Sequence, residues 1–520
     1  MGAGSFDAGL TWLAGGDNRR MVSAGLRGLE KECLRVASDG TLSLQPHSMR
    51  FGSALTHPWI TTDYSEALLE FVTPPYATNG EALAHLADLH AFIVQNNSDE
   101  LLWPASMPCI VSADASVPIA QYGPSNEGRM RTIYRSGLGF RYGRAMQAIA
   151  GAHFNYSLPA QFWPAWQAFA GSEAVARDFK SESLLGLARN FRRYGWLLTY
   201  LFGASPAFCK SFRPDGHQRL ESLSADTWYA PWSTSLRMSD MGYRNTTQSR
   251  LAISLNSLDD YLGELRAALT TLDPRYEAIG VEVNGEYRQL NANILQLENE
   301  YYSSVRPKPA SKQPRLITAL AESGVEYVEI RTLDLNPFDS LGITGDQMCL
   351  VELLLLYCLM TDSPPVASGE QDEIDQRELV VAWEGRRPGL ELPRGGTMVS
   401  LASWANELLE GLVGLAELLD DESGCHSKAV ADARTAVGDA EATLSARVLA
   451  GLRQHDDSFF GFAYAAAEQQ RQHYLVYEFT PGRLAELEAV ARDSLSEADA
   501  LEAADQLPFG QFLESELGMG

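Results

Sequence analysis

The chain has 520 residues, of which 45% are hydrophobic, and it can therefore bury a large core. Its formal net charge of −26 repels phosphate backbones, so we expect neither a nucleic-acid partner nor an anionic membrane partner. An anionic substrate would need a local reversal of this field, and a divalent metal is its simplest source.

Cysteine usage and apolar runs indicate the compartment. The six cysteines are scattered without a CxxC pair, which favours free thiols in a reducing compartment over a disulfide framework. The N-terminal segment lacks the basic region and long apolar core of a signal peptide. The longest apolar run, 350–360, is far shorter than the ~20 residues that a membrane span needs. We therefore expect a cytoplasmic protein without a membrane segment.

The first two thirds of the chain mixes predicted strands and helices. Alternating polar and apolar residues predict strands at 29–34, 62–72, 151–157 and 326–331. Helical spacing predicts helices at 81–97 and 181–203.

From about residue 351 the pattern becomes almost entirely helical. Ala/Leu/Glu-rich segments predict helices at 400–420, 429–453, 461–473 and 481–506, with loops at 393–397 and 420–424. Since no low-complexity linker precedes them, we expect these helices to pack on the first part of the chain.

The usual nucleotide and hydrolase motifs are absent from the sequence. It contains no GxxxxGK[ST] loop, no HExxH and no GxSxG, and the glycine-rich segment 137–143 has the wrong spacing for GxGxxG. Any chemistry with ATP would need a different scaffold.

The predicted strands carry an unusual set of polar side chains. Glu30 and Glu32 are two residues apart, so on a strand they project to the same side, ~7 Å from each other. The other such residues are Asp63, Glu70, His153, Glu329 and Arg331. Any one of these strands could be an ordinary amphipathic strand with a solvated face. Together, however, clustered carboxylates repel unless a cation lies between them, and carboxylates with one imidazole suit Mg²⁺ or Mn²⁺.

Longer stretches around these residues resemble a known family. The most specific are GLEKECLRV, GSALTHPWITTDYSEALLEFVTP, RYGRAMQAIAGAHFNYSLP and EYVEIRTLDLNPF, in a collinear set spanning about residues 25–340. They resemble the proteobacterial type of glutamate–cysteine ligase (γ-glutamylcysteine synthetase), a relative of the glutamine synthetase superfamily. The resemblance implies an α+β fold with a curved antiparallel half-barrel sheet surrounded by helices. This core would occupy 20–350, and a mainly helical C-terminal part, 351–520, would pack on it.

The resemblance also implies the residues of the site. Two or three Mg²⁺ ions, with Mn²⁺ as an alternative, would be bound by Glu30, Glu32, Asp63, Glu70, His153 and Glu329. Arg331 would meet the transferring phosphate and, with Glu30 and Glu32, form the catalytic set. The cysteine pocket would contain Tyr64, Tyr134, Leu138, Gln147, Ile149, Arg237, Tyr243 and Tyr302. The adenine and glutamate pockets are not assigned to residues.

The implied reaction is the ATP-dependent ligation of the L-glutamate γ-carboxylate to the L-cysteine amine through a γ-glutamyl phosphate. ATP is a co-substrate, the product is γ-glutamylcysteine, and the step is the first of glutathione biosynthesis. Two alternatives stay open: a γ-glutamyl ligase with another amine acceptor, and a non-catalytic metal-stabilised binding protein. The sequence is compatible with a monomer but does not determine the oligomeric state.

Overall fold

A computed structural model describes residues 6–97, 99–108, 110–213, 217–242, 251, 253–310 and 315–518. Its strands, in chain order, are β1 (Leu26–Val36), β2 (Ile60–Thr62), β3 (Leu68–Val72), β4 (Leu101–Leu102), β5 (Ala152–Ser157), β6 (Ala207–Cys209), β7 (Glu221–Ser222), β8 (Thr227–Tyr229), β9 (Glu282–Val283), β10 (Glu286–Tyr287), β11 (Val305–Lys308), β12 (Tyr327–Leu333), β13 (Glu391–Arg394) and β14 (Thr397–Ser400).

Helices surround the strands and fill the C-terminal part of the chain. They are α1 (Phe6–Ala14), α2 (Asn18–Ser23), α3 (Asn79–Asn96), α4 (Asn126–Tyr142), α5 (Phe162–Phe169), α6 (Ala176–Tyr194), α7 (Trp196–Phe202), α8 (Leu258–Thr270), α9 (Pro274–Ile279), α10 (Leu316–Ser323), α11 (Gly345–Met360), α12 (Ser368–Glu384), α13 (Leu401–Leu419), α14 (Cys425–Gly438), α15 (Leu444–Arg453), α16 (Phe459–Leu475), α17 (Arg483–Ala504) and α18 (Phe509–Leu517).

The central sheet has seven strands in the order β11-β12-β5-β1-β3-β2, with β4 paired to β1. Every pairing described within it is antiparallel. Residues of β1 alternate between its faces: Leu29, Lys31 and Cys33 are buried on one side, and Glu30 and Glu32 project to the other. The α+β fold with an antiparallel sheet and a mainly helical C-terminal part is confirmed.

One hydrophobic core connects the sheet with the C-terminal helices. It extends from Leu13 to Ala491 and includes most of α11, whose residues from Gln347 to Cys358 are nearly all buried. An amphipathic pattern cannot be seen in a helix that is buried on all sides. Helix α11 continues across the predicted boundary between the two parts of the chain at 350/351. The division of the chain into domains there stays a prediction.

Several segments differ from the sequence-based expectation. The strand predicted at 62–72 is divided into β2 and β3, and the helix predicted at 429–453 is divided into α14 and α15. The helix predicted at 181–203 is divided into α6 and α7 at Gly195, where an added Cβ would lie 2.7 Å from the Phe191 carbonyl oxygen. The loop predicted at 393–397 is the turn of the β13–β14 hairpin. Gly395 and Gly396 form this turn with φ of 60° and 79°, a conformation that glycine adopts without strain.

A disulfide joins Cys349 of α11 to Cys425 at the start of α14. The expectation of free thiols is therefore wrong for this pair, although Cys33, Cys209 and Cys358 are free and buried. The pairing left no local signal because the two residues are 76 positions apart and meet only through tertiary packing. None of the described helices has the length and apolarity that crossing a membrane requires.

Candidate active site

A cavity of about 290 Å³ lies against the face of the central sheet that carries Glu30 and Glu32. All the residues predicted as metal ligands line it, and so does Arg331: Glu30, Glu32, Asp63, Glu70, His153, Glu329 and Arg331. The sheet therefore brings together side chains that are up to 301 positions apart, since the first of these residues is 30 and the last is 331.

Strand register explains why these side chains meet. Glu32 of β1 lies directly opposite Glu70 of β3, and Glu30 lies opposite His153 of β5. Glu329 of β12 pairs with Asn155 of β5, which is two positions after His153 and therefore projects to the same face. Residues directly opposite each other in an antiparallel pair project to the same face, so four adjacent strands place their polar side chains in one cluster.

His153 is the centre of this cluster. Its Nδ1 lies 3.2 Å from Glu30 Oε2 and 3.4 Å from Glu329 Oε1, and its Nε2 lies 3.8 Å from Glu32 Oε1. One ligand atom each from Glu30, Glu70 and His153 lie within 4.8 Å of one another. Burial and the nearby Arg331 lower the pKa of His153, so the imidazole is neutral at pH 7 and can act as a ligand.

The pKa values of the carboxylates in the cluster are shifted in opposite directions. Burial, with the neighbouring Asp63 carboxylate, raises the pKa of Glu32 to about 8. Burial together with Asp63 and Glu30 raises the pKa of Glu70 well above its usual range. These groups lack enough nearby positive charge to ionise together. A divalent cation would supply it, and the donor set of carboxylates and one imidazole fits Mg²⁺ or Mn²⁺.

Glu329 has the opposite environment, because three basic side chains surround it. Arg331 Nη1 donates to its Oε1, while Lys308 Nζ lies 3.2 Å and Arg306 Nη1 3.8 Å from its Oε2. Burial raises the pKa of Glu329, but these cations outweigh burial and hold it well below its usual range. Arg331 Nε is buried and has no acceptor among the described residues, so it can donate to a ligand.

Sequence reasoning missed three basic residues of the cavity wall, namely Arg135, Arg306 and Lys308. The signal for Arg306 and Lys308 was their spacing of two residues, which puts both on one face of β11. Arg135 belongs to α4 and left no such signal, because a basic residue on a helix is most often solvated.

Only some of the residues predicted for the cysteine pocket line the cavity. Tyr64, Tyr134, Leu138, Gln147 and Tyr302 line the cavity. Ile149 and Arg237 are buried and do not line this cavity. Tyr243 lies outside the residues that the structure describes.

Arg237 lies behind the wall of the cavity. Its side chain is fully buried, with Nη1 3.7 Å from Asp334 Oδ1, and its Nη2 donates to the Arg331 carbonyl oxygen over 3.0 Å. It also abuts Gly151, where an added Cβ would lie 2.0 Å from Nη2. The Gly151 N–H donates to Glu32 over 2.6 Å, so Arg237 supports the strand ends that hold the acidic cluster. Its role in binding a cysteine carboxylate stays a prediction.

A second cavity of about 700 Å³ adjoins the first and shares Tyr134, Arg135, Asn299 and Lys308 with it. It lies between α4 and α18, and its wall combines apolar side chains such as Phe512 with charged ones.

Comparison with known proteins identifies the family. The family model of glutamate–cysteine ligase matches residues 10–381. A glutamate–cysteine ligase of Alcanivorax borkumensis is 47% identical over 94% of this chain and 94% of its own, and one of Pseudomonas aeruginosa is 46% identical over 97% and 96%. The crystal structure of the Francisella tularensis glutamate–cysteine ligase, in complex with AMP, superposes with a TM-score of 0.90 at 33% identity, covering 95% of this chain and 98% of that one. This chain belongs to the glutamate–cysteine ligase family.

Proposed function

We propose that the chain couples the γ-carboxylate of L-glutamate to the amine of L-cysteine at the expense of ATP, forming γ-glutamylcysteine in the first step of glutathione biosynthesis. The observation that carries this proposal is the cluster of buried and partly buried carboxylates and one neutral imidazole beside Arg331 and Lys308 in one cavity. The names of the relatives and the AMP in the Francisella structure support it.

The chemistry requires activation of the carboxylate. A carboxylate does not condense with an amine in water because its oxygen is a poor leaving group, whereas a γ-glutamyl phosphate has a good one. Phosphoryl transfer asks the protein mainly for positioning and for neutralisation of charge on the transferring group.

Six residues would hold the metal ions: Glu30, Glu32, Asp63, Glu70, His153 and Glu329. Two or three Mg²⁺ ions, or Mn²⁺, would neutralise charge on the ATP phosphates. Glu329 accepts from Arg331 Nη1 and fixes the guanidinium at the cavity wall. The buried Nε of Arg331 is then available to donate to an oxygen of the transferring phosphoryl group. Lys308 adds a second positive charge on the same side of Glu329.

The proposed acceptor side of the cavity would limit the access of water to the reacting groups. Tyr64, Tyr134, Leu138 and Tyr302 supply its aromatic and apolar wall, which shields a reactive acyl phosphate from hydrolysis. Because a free α-amino group titrates near 8, a modest shift suffices to make the attacking amine neutral. The adjoining cavity of about 700 Å³ offers room for the nucleoside part of ATP. The proposed compartment is the cytoplasm, where ATP is available.

The test is ADP release with Mg·ATP and glutamate, measured with and without cysteine, together with the mass of the product. We expect ADP and γ-glutamylcysteine in equal amounts, and Glu30→Gln should abolish both while the circular dichroism spectrum is unchanged. Equal turnover with a thiol-free amino acid would support the alternative acceptor. ADP release that no amino acid stimulates would reject the ligase proposal.

A further inference from the structure

A separate cavity of about 460 Å³ lies away from the catalytic cavity, between the end of α6, α12, the β13–β14 hairpin and α13. Three arginines line it: Arg193, Arg377 and Arg394. Two of them are matched by carboxylates. Arg193 pairs with Glu370, at 2.6 and 3.0 Å, and Arg394 pairs with Glu407, at 2.7 Å from each guanidinium end nitrogen.

Arg377 is the arginine without a carboxylate partner. It is 3% exposed and makes no ion pair within 4.0 Å among the described residues. The nearby Glu373 and Glu370 carboxylates act on Arg377 without a direct contact, because Glu373 accepts from the Gly395 and Gly396 N–H groups at 2.8 and 2.7 Å and Glu370 accepts from Arg193. A buried guanidinium that no carboxylate contacts directly keeps unsatisfied donors, so this arrangement points to an anion from outside the chain.

The donors of Arg377 show where that anion would bind. Its Nη1 donates to the Pro393 carbonyl oxygen over 2.7 Å, while its Nε is buried and has no acceptor among the described residues. The edge of the guanidinium formed by Nε and Nη2 therefore has no acceptor among the described residues, and this edge can hold two oxygens of one group.

Trp404 provides a second, independent observation at the same cavity. Its Nε1–H is also buried without an acceptor in the described part of the chain. The Arg377 and Arg394 guanidinium carbons lie 4.8 and 4.7 Å from the centre of its ring, so the indole is fixed in place. One acceptor bound in the cavity could satisfy these two buried donors on its wall.

We propose that this cavity is a binding site for a small oxyanion, a carboxylate or a phosphate group, held by the Nε/Nη2 edge of Arg377 beside Trp404. The site is independent of the proposed ligase chemistry, because none of its lining residues belongs to the catalytic cavity. Burial lowers the pKa of Arg377 to about 10, although the nearby Glu373 and Glu370 carboxylates act to raise it.

The test is thermal unfolding of the full chain during titration with sodium acetate or sodium phosphate, at an ionic strength held constant with sodium chloride. We expect Tm to rise with the logarithm of the concentration of at least one of the two salts once that concentration exceeds the dissociation constant, and the salt that acts at the lower concentration tells a carboxylate site from a phosphate site. In Arg377→Met the concentration at which the rise begins should be at least about tenfold higher. Arg387→Met, which removes an exposed arginine paired with Glu384, should behave as the wild type.

Two further comparisons make the result decisive. Without acetate or phosphate, Arg377→Met should be at least as stable as the wild type, because it removes a buried charge that no carboxylate of the described residues contacts directly. Arg331→Gln should keep the Tm rise, which separates this site from phosphate binding in the catalytic cavity. A Tm rise that Arg331→Gln abolishes and Arg377→Met retains would overturn the proposal. So would an Arg377→Met variant that is destabilised equally at every anion concentration, or a wild type that responds only as it does to chloride.

Discussion

Lys308 shows how a single side chain sets the charge of the catalytic cavity. Its Nζ lies 3.2 Å from Glu329 Oε2 and faces the same cavity as Arg331. Replacing Lys308 with Met keeps the length of the side chain but removes a charge next to the proposed phosphoryl position. We expect turnover to fall about tenfold or more, equivalent to ~1.4 kcal/mol in the barrier. The measurement is the steady-state rate at saturating substrates.

Lys180 offers a matched control for this variant. It pairs with Glu326 over 2.5 Å, one residue before β12 begins, and neither residue lines the catalytic cavity. Lys180→Met should therefore retain nearly full turnover. Equal losses in both variants would show that lysine-to-methionine changes near β12 act through stability, and Lys308 would lose its assigned role.

His57 should make the stability of the protein depend on pH. Its Nδ1 accepts from the backbone N–H groups of Trp59 and Ile60, at 3.1 and 2.9 Å, so the folded protein holds the ring neutral. Burial lowers its pKa to about 4, against about 6.5 in an unfolded chain. Between these values the unfolded state binds more protons, so the free energy of unfolding decreases as pH falls from about 6.5 to about 4, and the full stabilisation is present above that window.

His57→Asn should reduce this dependence, because the amide oxygen can accept the same backbone N–H groups and does not titrate. Urea unfolding at several pH values should show a slope in the window that is smaller by at most about 1.4 kcal/mol per pH unit. Superimposable pH profiles of the wild type and the variant would mean that the pKa of His57 is the same in the folded and unfolded states.

At the scale of elements, the accuracy of prediction followed the strength of the local pattern. The strands β1, β5 and β12 were predictable because polar and apolar residues alternate along them, and their register then assembled the acidic cluster. Strand β11 was missed because it has only four residues and includes Pro307. The glycine-rich segment 137–143 gave no hint that most of it belongs to α4, the helix that carries Tyr134 and Arg135.

Pairings between distant elements could not be predicted from sequence. The Cys349–Cys425 disulfide and the burial of Arg237 behind the cavity wall both depend on how helices and loops pack, which a local pattern does not encode. The same limit applies to Arg377, which no carboxylate in the described part of the chain contacts directly because those of α12 and α13 bind other groups.

The last helix, α18, should position α4. Phe509 is 7% exposed, with the Arg129 guanidinium carbon 4.0 Å from its ring centre, and it packs edge-on against Tyr287. Phe509→Ala should lower the free energy of unfolding by about 3 kcal/mol and reduce kcat/KM several-fold, because α4 supplies part of the cavity wall. Chemical denaturation and steady-state kinetics would measure the two effects.

Leu507 is a suitable comparison for Phe509 because it lies in the same segment but is 47% exposed. Leu507→Ala should change neither quantity appreciably. A Phe509→Ala variant that loses stability but keeps the wild-type kcat/KM would show that α18 stabilises the molecule without positioning α4.

At the scale of the whole molecule, a chain with a net charge of −26 is proposed to bind ATP and glutamate, both anions. The sequence suggested metal ions as the simplest local source of positive charge, together with Arg331 at the transferring phosphate. The structure adds three basic side chains on the cavity wall: Arg135, Arg306 and Lys308. The local field is therefore set by the protein as well as by bound cations, and the acidic exterior does not prevent anionic substrates from binding.

The central claim is that the acidic cluster and Arg331 support phosphoryl transfer to the glutamate γ-carboxylate. The most direct measurement follows a heavy oxygen isotope from labelled γ-carboxylate into inorganic phosphate during turnover with Mg·ATP and cysteine. If an acyl phosphate forms, each molecule of phosphate released should contain one labelled oxygen, in step with γ-glutamylcysteine formation. Formation of the dipeptide with release of unlabelled phosphate would contradict the account.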